Sequence, residues 1–399
     1  MAGTGVAYPV SSTELLLGLE ATRGTAATTT SAVPIRSPKL KFDQAVIEDE
    51  TLQGSMVEIY DQELGLRYDA HGWDSYPYLD TFPILLAAEL GSPDTKTAAP
   101  ASTTLASSAT KGSTTISATA TIAAGSYIVI GSGATLETHL TSAVSGTGPF
   151  TVTLTTPLVN AQANAATVTG LTKHQWSLLN NSPATGNMPL SCTINDFDGQ
   201  QWRQFSAAQL DKLTIKGNAT GFVDYTCNWF ANPFVVPSTP SYSPSTTTAP
   251  PGWTATISIG GTAINYAEDW EIDLGRQIKA IPAVTGSPTY FEYQANGITS
   301  VGKLTLIEQS GAPQVAQYLA GSTEALDITL YDVQTGYALN LHSTNTKFKT
   351  GEVVRGAKGE VKTQFDLQLL PSATDALAGG KSPIVCTIAN ATTTAYVGS

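Results

Sequence analysis

The chain alternates apolar and polar residues over short runs far more often than it repeats them at helical spacing. In "KLKFD", Leu40 and Phe42 point one way while Lys41 and Asp43 point the other, and "MVEIYDQELGLRYDAHGW" continues the same period of two. Such alternation sets one side of a strand on a core and the other in water. One segment departs from it. "DTFPILLAAELG" predicts a helix, with Asp80 as N-cap, Pro83 tolerated in the first turn, Phe82, Leu85, Leu86 and Leu90 apolar, and Gly91 as the stop. One face of it is expected to pack on a sheet.

The pattern divides the chain. Residues 1–33 are rich in Thr, Ala and Gly and read as an extended arm that orders against a partner or the main body, anchored by Leu15, Leu16 and Leu17. Strand grammar occupies 34–99. Over 100–170 charge almost vanishes, and "GSTTISATA", "GSYIVIG", "THLTSAV" and "FTVTLTTPL" read as short strands broken by Gly and Pro, a small β-domain inserted into the body. The body resumes over 171–234 with "KHQWSLL". Residues 235–252 are rich enough in Pro, Ser and Thr to be a semi-rigid linker or long loop.

Beyond the linker, over 253–372, the same order returns. "DWEIDLGRQIKAI" matches "KLKFDQAVIED", "YFEYQANGITSVGKLTLIEQ" matches "VEIYDQELGLRYDAHGWD", and "APQVAQYLAG" stands where "DTFPILLAAELG" stood. "EALDITLYD" takes the place of "HQWSLLN", and "GAKGEVKTQFDLQL" parallels "GNATGFVDYTCNW". An internal duplication explains this better than any local motif. Residues 373–399 form a second extended arm.

Composition narrows the function. Gly, Thr, Ser, Ala and Val abound and charged residues are only 13%, so the fold class is mainly β. With 20 basic and 32 acidic side chains the net charge is −12, the wrong sign for tight binding of a phosphate backbone. Cys192, Cys227 and Cys386 are too few and too scattered for a disulfide framework or a zinc site, and read as core residues in a reducing compartment. The N-terminus has no basic and apolar signal-peptide pattern, and no apolar run reaches membrane-span length, so no membrane partner is expected.

Candidate chemistry is sparse. His71, His139, His174 and His342 lie far apart, with no metal-ligand spacing, and no phosphate loop or nucleophile elbow occurs. No catalytic residue, metal or cofactor is expected. Two acidic groups remain: Asp196 with Asp198, and Glu48, Asp49 and Glu50. Glycoside hydrolysis uses two carboxylates across a cleft, and "DFDG" holds part of a calcium-loop pattern but no distal bidentate Glu. The plain reading of Asp198-Gly199 is a hairpin corner between "PLSCTIN" and "QWRQF".

The segments "GLEATRGTAAT", "YLDTFPILLAAELG", "FDGQQWRQFSAAQLDKLTIKGNATGFVDY" and "PPGWTATISIGG" resemble the major tail tube protein of long-tailed, siphovirus-like bacteriophages. The resemblance covers most of residues 12–370 outside the insert. It implies two tandem tail-tube-type β-sandwich or barrel domains, each with a flanking helix: the first over 34–99 and 171–234, the second over 253–372. The small β-domain of 100–170 is then decoration on the tube exterior. It further implies a virion protein, assembled in the host bacterial cytoplasm, whose rings stack into a hollow tube for passage of double-stranded DNA. Three duplicated chains make a pseudo-hexameric ring, with a homohexamer as the alternative; a tape measure protein and tail terminator or tip proteins are the implied partners. The lumen candidates are the polar positions of the paired terminal strands, Asp224, Thr226 and Asn228 in one copy and Glu360, Lys362, Gln364 and Asp366 in the other, unless those faces meet outer solvent instead. Leu15, Leu16 and Leu17 become candidates for inter-ring or arm contacts. The competing classes are a glycan-binding or glycan-cleaving β-protein and another virion component such as a decoration protein.

Overall fold

In the computed structural model, which describes residues 12–28, 30–51, 56–182, 186–284, 286–355 and 359–397, the alternating runs become long antiparallel strands. Eight lie side by side in the order Lys39–Asp49, Asp61–Ser75, Asp224–Ala231, 209–218, Ala267–Gly275, Thr299–Ile307, Lys362–Leu369 and 346–354. The fourth and eighth are the second halves of two 17-residue strands, Trp202–Asn218 and Ala338–Val354. The first half of each leaves this inner sheet for an outer layer. There Trp202–Asn218 pairs with Cys192–Phe197, which leads to Glu14–Leu19 and Thr30–Ala32. Ala338–Val354 pairs with Thr323–Tyr331, which leads to Thr256–Ile259 and Thr262–Ile264. Leu17, Trp73, Phe205, Leu213, Trp229, Trp270, Leu304 and Phe365 belong to one apolar core shared by both halves.

The two halves share their pairing order and their irregularities. A bulge between Leu210 and Lys212, opposite Trp229 and Asn228, reappears between Phe348 and Thr350, opposite Leu367 and Asp366. A second bulge, between Cys192 and Ile194, reappears between Glu324 and Leu326. A bulge costs ladder hydrogen bonds and sets a local bend, so two at matching positions are a strong sign of duplication.

This pairing corrects three expectations. Thr323–Tyr331 is the counterpart of Cys192–Phe197, not of the strand Thr172–Ser177, because both lie against the first half of a long strand. The expected N-terminal arm contains the core strand Glu14–Leu19, in which Leu15, Leu16 and Leu17 are at most 2% exposed. Buried within their own chain, these leucines are not available for inter-ring contacts. The expected C-terminal arm likewise contains Val385–Asn390, buried throughout and paired with both Ala338–Val354 and Thr172–Ser177.

The helix Phe82–Leu90 ends as expected at Gly91, in the left-handed region at φ 78°. It is buried on every side, not one, because Thr172–Ser177 and Glu14–Leu19 enclose it together with the long strand. Its N-cap is Thr81. The Asp80 carboxylate instead accepts hydrogen bonds from Ser245 Oγ, Thr246 N and Thr247 Oγ1, pinning the linker. The second helix, Gln314–Ala320, lacks such a cover, and Leu319 is 77% exposed.

The uncharged segment is a separate unit. Its six-stranded sheet lies within 103–170 and has its own core around Ile116, Ile128, Ile130, Val152 and Val168. Although inserted in the first half, it seats on the second: Tyr127 and Val129 pack against Ala338 and Ala389, and Thr138 Oγ1 donates to Gly336 O at 2.6 Å.

Glu20 ties the N-terminal strand to the body. Its carboxylate, 3% exposed, accepts bonds from Gly24 N, Ser191 Oγ, Thr193 Oγ1 and Ala207 N at 2.6–3.0 Å. Glu20→Ala leaves these donors unpaired and is expected to cost about 2–4 kcal/mol in urea denaturation. A loosely attached arm would predict no change.

Candidate functional site

The feature that stands out is the second face of the eight-stranded sheet. On one side, Trp73, Leu213, Ile215, Tyr225, Cys227, Trp229, Ile272, Leu304 and Leu367 enter the core. By the strand period of two, the other side carries Asp74, Lys212, Thr214, Lys216, Asp224, Thr226, Asn228, Glu271, Asp273, Lys303, Lys362, Gln364 and Asp366. Six of the seven proposed lumen residues therefore share one face of one sheet, Asp224, Thr226 and Asn228 in the third strand and Lys362, Gln364 and Asp366 in the seventh. Glu360 is the exception. It lies exposed two residues before Lys362, outside the strand, where no strand fixes its direction.

The charges on this face form a ladder. Lys216 stands opposite both Asp224 and Glu271, and Lys303 opposite both Glu271 and Asp366. Lys212 Nζ reaches Asp273 at 2.8 Å, Lys362 Nζ reaches Glu268 at 2.6 Å, and Arg36 bridges Asp74 and Asp224 at 2.8 and 3.6 Å. The Glu268 carboxylate raises the Lys362 pKa. Exposed pairs of this kind contribute only about 0–1 kcal/mol each. Their larger effect is to cancel charge locally.

Both outer strands of the sheet are open. Among the described residues, Lys39–Asp49 is paired only with Asp61–Ser75, and beyond Lys347 the other border strand is paired only with Lys362–Leu369. Phe42, Val353 and Val354 are exposed there, at 49%, 47% and 37%. Unpaired backbone edges of this length invite another strand.

The two ends of the strands also differ. At one rim project the hairpin carrying Val46, Ile47 and Leu64 and the loop carrying Val284 and Phe291, all exposed. Between them lies a cleft lined by Leu66, Pro282, Ala283, Val284 and Pro288. At the opposite rim are the turn after Asn218, bearing exposed Phe222, and exposed Val361 just before the strand Lys362–Leu369.

The carboxylate candidates resolve into structure. Asp198 Oδ1 accepts from Gln200 N and Gln201 N, both at 2.9 Å, and Gly199 has φ 92°, which makes the corner of a hairpin. Glu48 and Asp49 lie in the projecting hairpin, where Gln62 bonds Glu48 at 2.9 Å. The histidines serve the fold: His139 contacts Glu137, His174 contacts Asp94, His342 contacts Asp327, and burial pushes His71 down to about 3. Among the described residues, no three His, Cys, Asp or Glu side chains cluster as a metal site. None of the described helices is long and apolar enough to cross a membrane. No protein-family model and no curated protein sequence matches the chain.

The open edges were not legible in the sequence, since a border strand alternates like any other. The sole signal is apolar side chains where water should be, such as Phe42 and Val353.

Asp196 provides a pH test. Burial raises its pKa to about 6, against the opposing pull of Arg203. A carboxyl with a folded pKa above its unfolded value of about 3.9 favours folding when protonated, so its contribution is lost as pH rises from about 4 to 6. Asp196→Asn is expected to stabilise the protein by roughly 1–2 kcal/mol at pH 7 and to change little at pH 4. Equal effects at both pH values in thermal unfolding would refute this account.

Proposed function

We propose that this protein is the structural subunit of a phage tail tube. Three chains join edge to edge into a ring whose inner wall is the polar face, and rings stack through their rims. The observation that carries the reading is the continuous eight-stranded sheet, made of two copies of one four-stranded unit, with one uncovered polar face and an open edge at each end.

The two edges belong to different ends of the sheet, so pairing between chains is head to tail, and head-to-tail contacts make a ring when the rotation closes. Three chains supply three times eight strands. At ~4.8 Å per strand and ordinary barrel tilt, such a wall is roughly 40–50 Å across between backbones, wider than a DNA double helix. The apolar hairpin and loop at one rim, facing exposed Phe222 and Val361 at the other, suit stacking of successive rings. They replace Leu15, Leu16 and Leu17 in that role. The insert then lies outside the tube, and the tape measure and terminator or tip proteins are the partners of such an assembly.

Electron microscopy of the purified protein, with mass measurement of any rings, tests this. The expected result is hollow rings or tubes of three chains. Rings of six chains would overturn the stoichiometry, and a monomer that persists at high concentration would overturn the function.

A further inference from the structure

The seam between the two halves inside one chain is a template for the seam between chains. The matching bulges make the long strands equivalent residue by residue: Lys212, Thr214 and Lys216 correspond to Thr350, Glu352 and Val354, since they face Asn228, Thr226 and Asp224 in one half and Asp366, Gln364 and Lys362 in the other. The open strand is placed in the same way. Gly72 faces Asn228, and Lys303 faces the equivalent Asp366. Their next neighbours, Lys39 and Glu271, are therefore equivalent, as are Lys41 and Asp273, and Asp43 and Gly275.

Inside the chain, Thr214 stands opposite Asp273, Lys216 opposite Glu271 and Lys212 opposite Gly275. Carried over, these partners set Glu352 opposite Lys41, Val354 opposite Lys39 and Thr350 opposite Asp43. The signs exchange strands and stay complementary: bases lie on the long strand within the chain, and the acid lies on it between chains. A mismatched seam would set like charges opposite each other at two positions, Lys216 against Lys39 and Glu352 against Asp273, with Lys212 against Asp43 as its one opposite-charge pair. On the core side, Leu213 faces Leu274, and the equivalents are Gly351 and Phe42. Gly351 has no side chain, and the nearest atoms to a Cβ there would be the Phe365 ring at 3.1 Å and the Tyr318 ring at 3.3 Å. Those rings already cover the glycine from its own chain, and the half-exposed Phe42 ring would extend this aromatic cover from the neighbouring strand.

We propose that a second copy of this chain docks on the Ala338–Val354 edge through its Lys39–Asp49 strand, in the register that sets Lys41 opposite Glu352 and Phe42 over Gly351. This rests on the ring reading above and adds the partner strand and its alignment. A one-residue slip would turn every side chain to the wrong face, and a two-residue slip would set Glu352 opposite either Asp43 or Lys39.

Cysteine cross-linking decides the register. Directly opposed strand positions have Cβ atoms ~5 Å apart, near disulfide reach, and the native Cys192, Cys227 and Cys386 are buried. Oxidised Lys41→Cys/Glu352→Cys protein is expected to run as covalent dimers and trimers on a denaturing gel. Asp43→Cys/Glu352→Cys protein is expected to remain monomeric. Charge exchange supplies a second readout: Lys41→Glu and Glu352→Lys should each raise the protein concentration needed for rings roughly 3–10-fold, and the double variant should restore it. Cross-linking of the shifted pair, or charge reversals without effect, while unaltered protein forms rings, would overturn the register and leave the ring reading standing. Unaltered protein that never forms rings would overturn both.

Discussion

A strand that changes partners halfway along is the constraint on which the rest depends. Trp202–Asn218 begins in the outer layer beside Cys192–Phe197 and ends in the inner sheet beside Asp224–Ala231, with the bulge between Leu210 and Lys212 at the crossing. Asp211, the residue released from the ladder there, is used at once. Its carbonyl accepts Arg276 N at 2.8 Å and its carboxylate accepts Ile278 N at 2.6 Å, which fixes the chain as it leaves Ala267–Gly275, the first inner-sheet strand of the second half. Lys349 occupies the same place in the second copy and lies exposed on the open edge. One local irregularity thus joins the two layers and defines where the next strand enters.

The halves diverge where one of them is covered. The first helix sits inside, and its Glu89 is fully buried with no hydrogen-bond partner for either carboxylate oxygen. Burial raises the Glu89 pKa well above the usual range, and the positive Arg276 opposes that shift. Arg276, 2% exposed, is itself lowered by burial. A buried charge without a partner is costly, and these two groups influence each other across the seam between halves without forming an ion pair. The second helix rests exposed over the edge-strand side of the sheet, with Tyr318 against Phe365. Duplication supplied the framework, and covering strands then made one copy an interior and left the other as a surface.

The repeat was legible because alternation is local: Trp270 and Ile272 against Glu271 and Asp273 read as a strand wherever it lies. The hairpin at Asp198 and the stop at Gly91 were equally plain, since both require a conformation that glycine permits. What escaped was order in space. "HQWSLLN" and "CTINDF" look alike as strands, and only pairing shows which one matches Thr323–Tyr331. The runs around Leu16 and Ile388 are buried on both faces, so they carry no alternation and resemble an anchor or a tail. Glu360 lies two residues outside the strand, a boundary that alternation does not mark.

The polar face also explains how an acidic protein can carry many lysines on a proposed DNA-facing wall. Affinity for a phosphate backbone grows with each phosphate a free cation neutralises, through release of condensed counterions. On this face the lysines of the inner strands stand beside carboxylates. Lys216 lies between Asp224 and Glu271, Lys303 between Glu271 and Asp366, Lys212 against Asp273 and Lys362 against Glu268. In the proposed tube, a passing phosphate would compete with a carboxylate held by the sheet for the ammonium groups of Lys212, Lys216 and Lys362. If the proposed tube forms, the same ladder that aligns the strands would also weaken the grip of its wall on DNA, so strand register and transport would be consequences of one arrangement of charge.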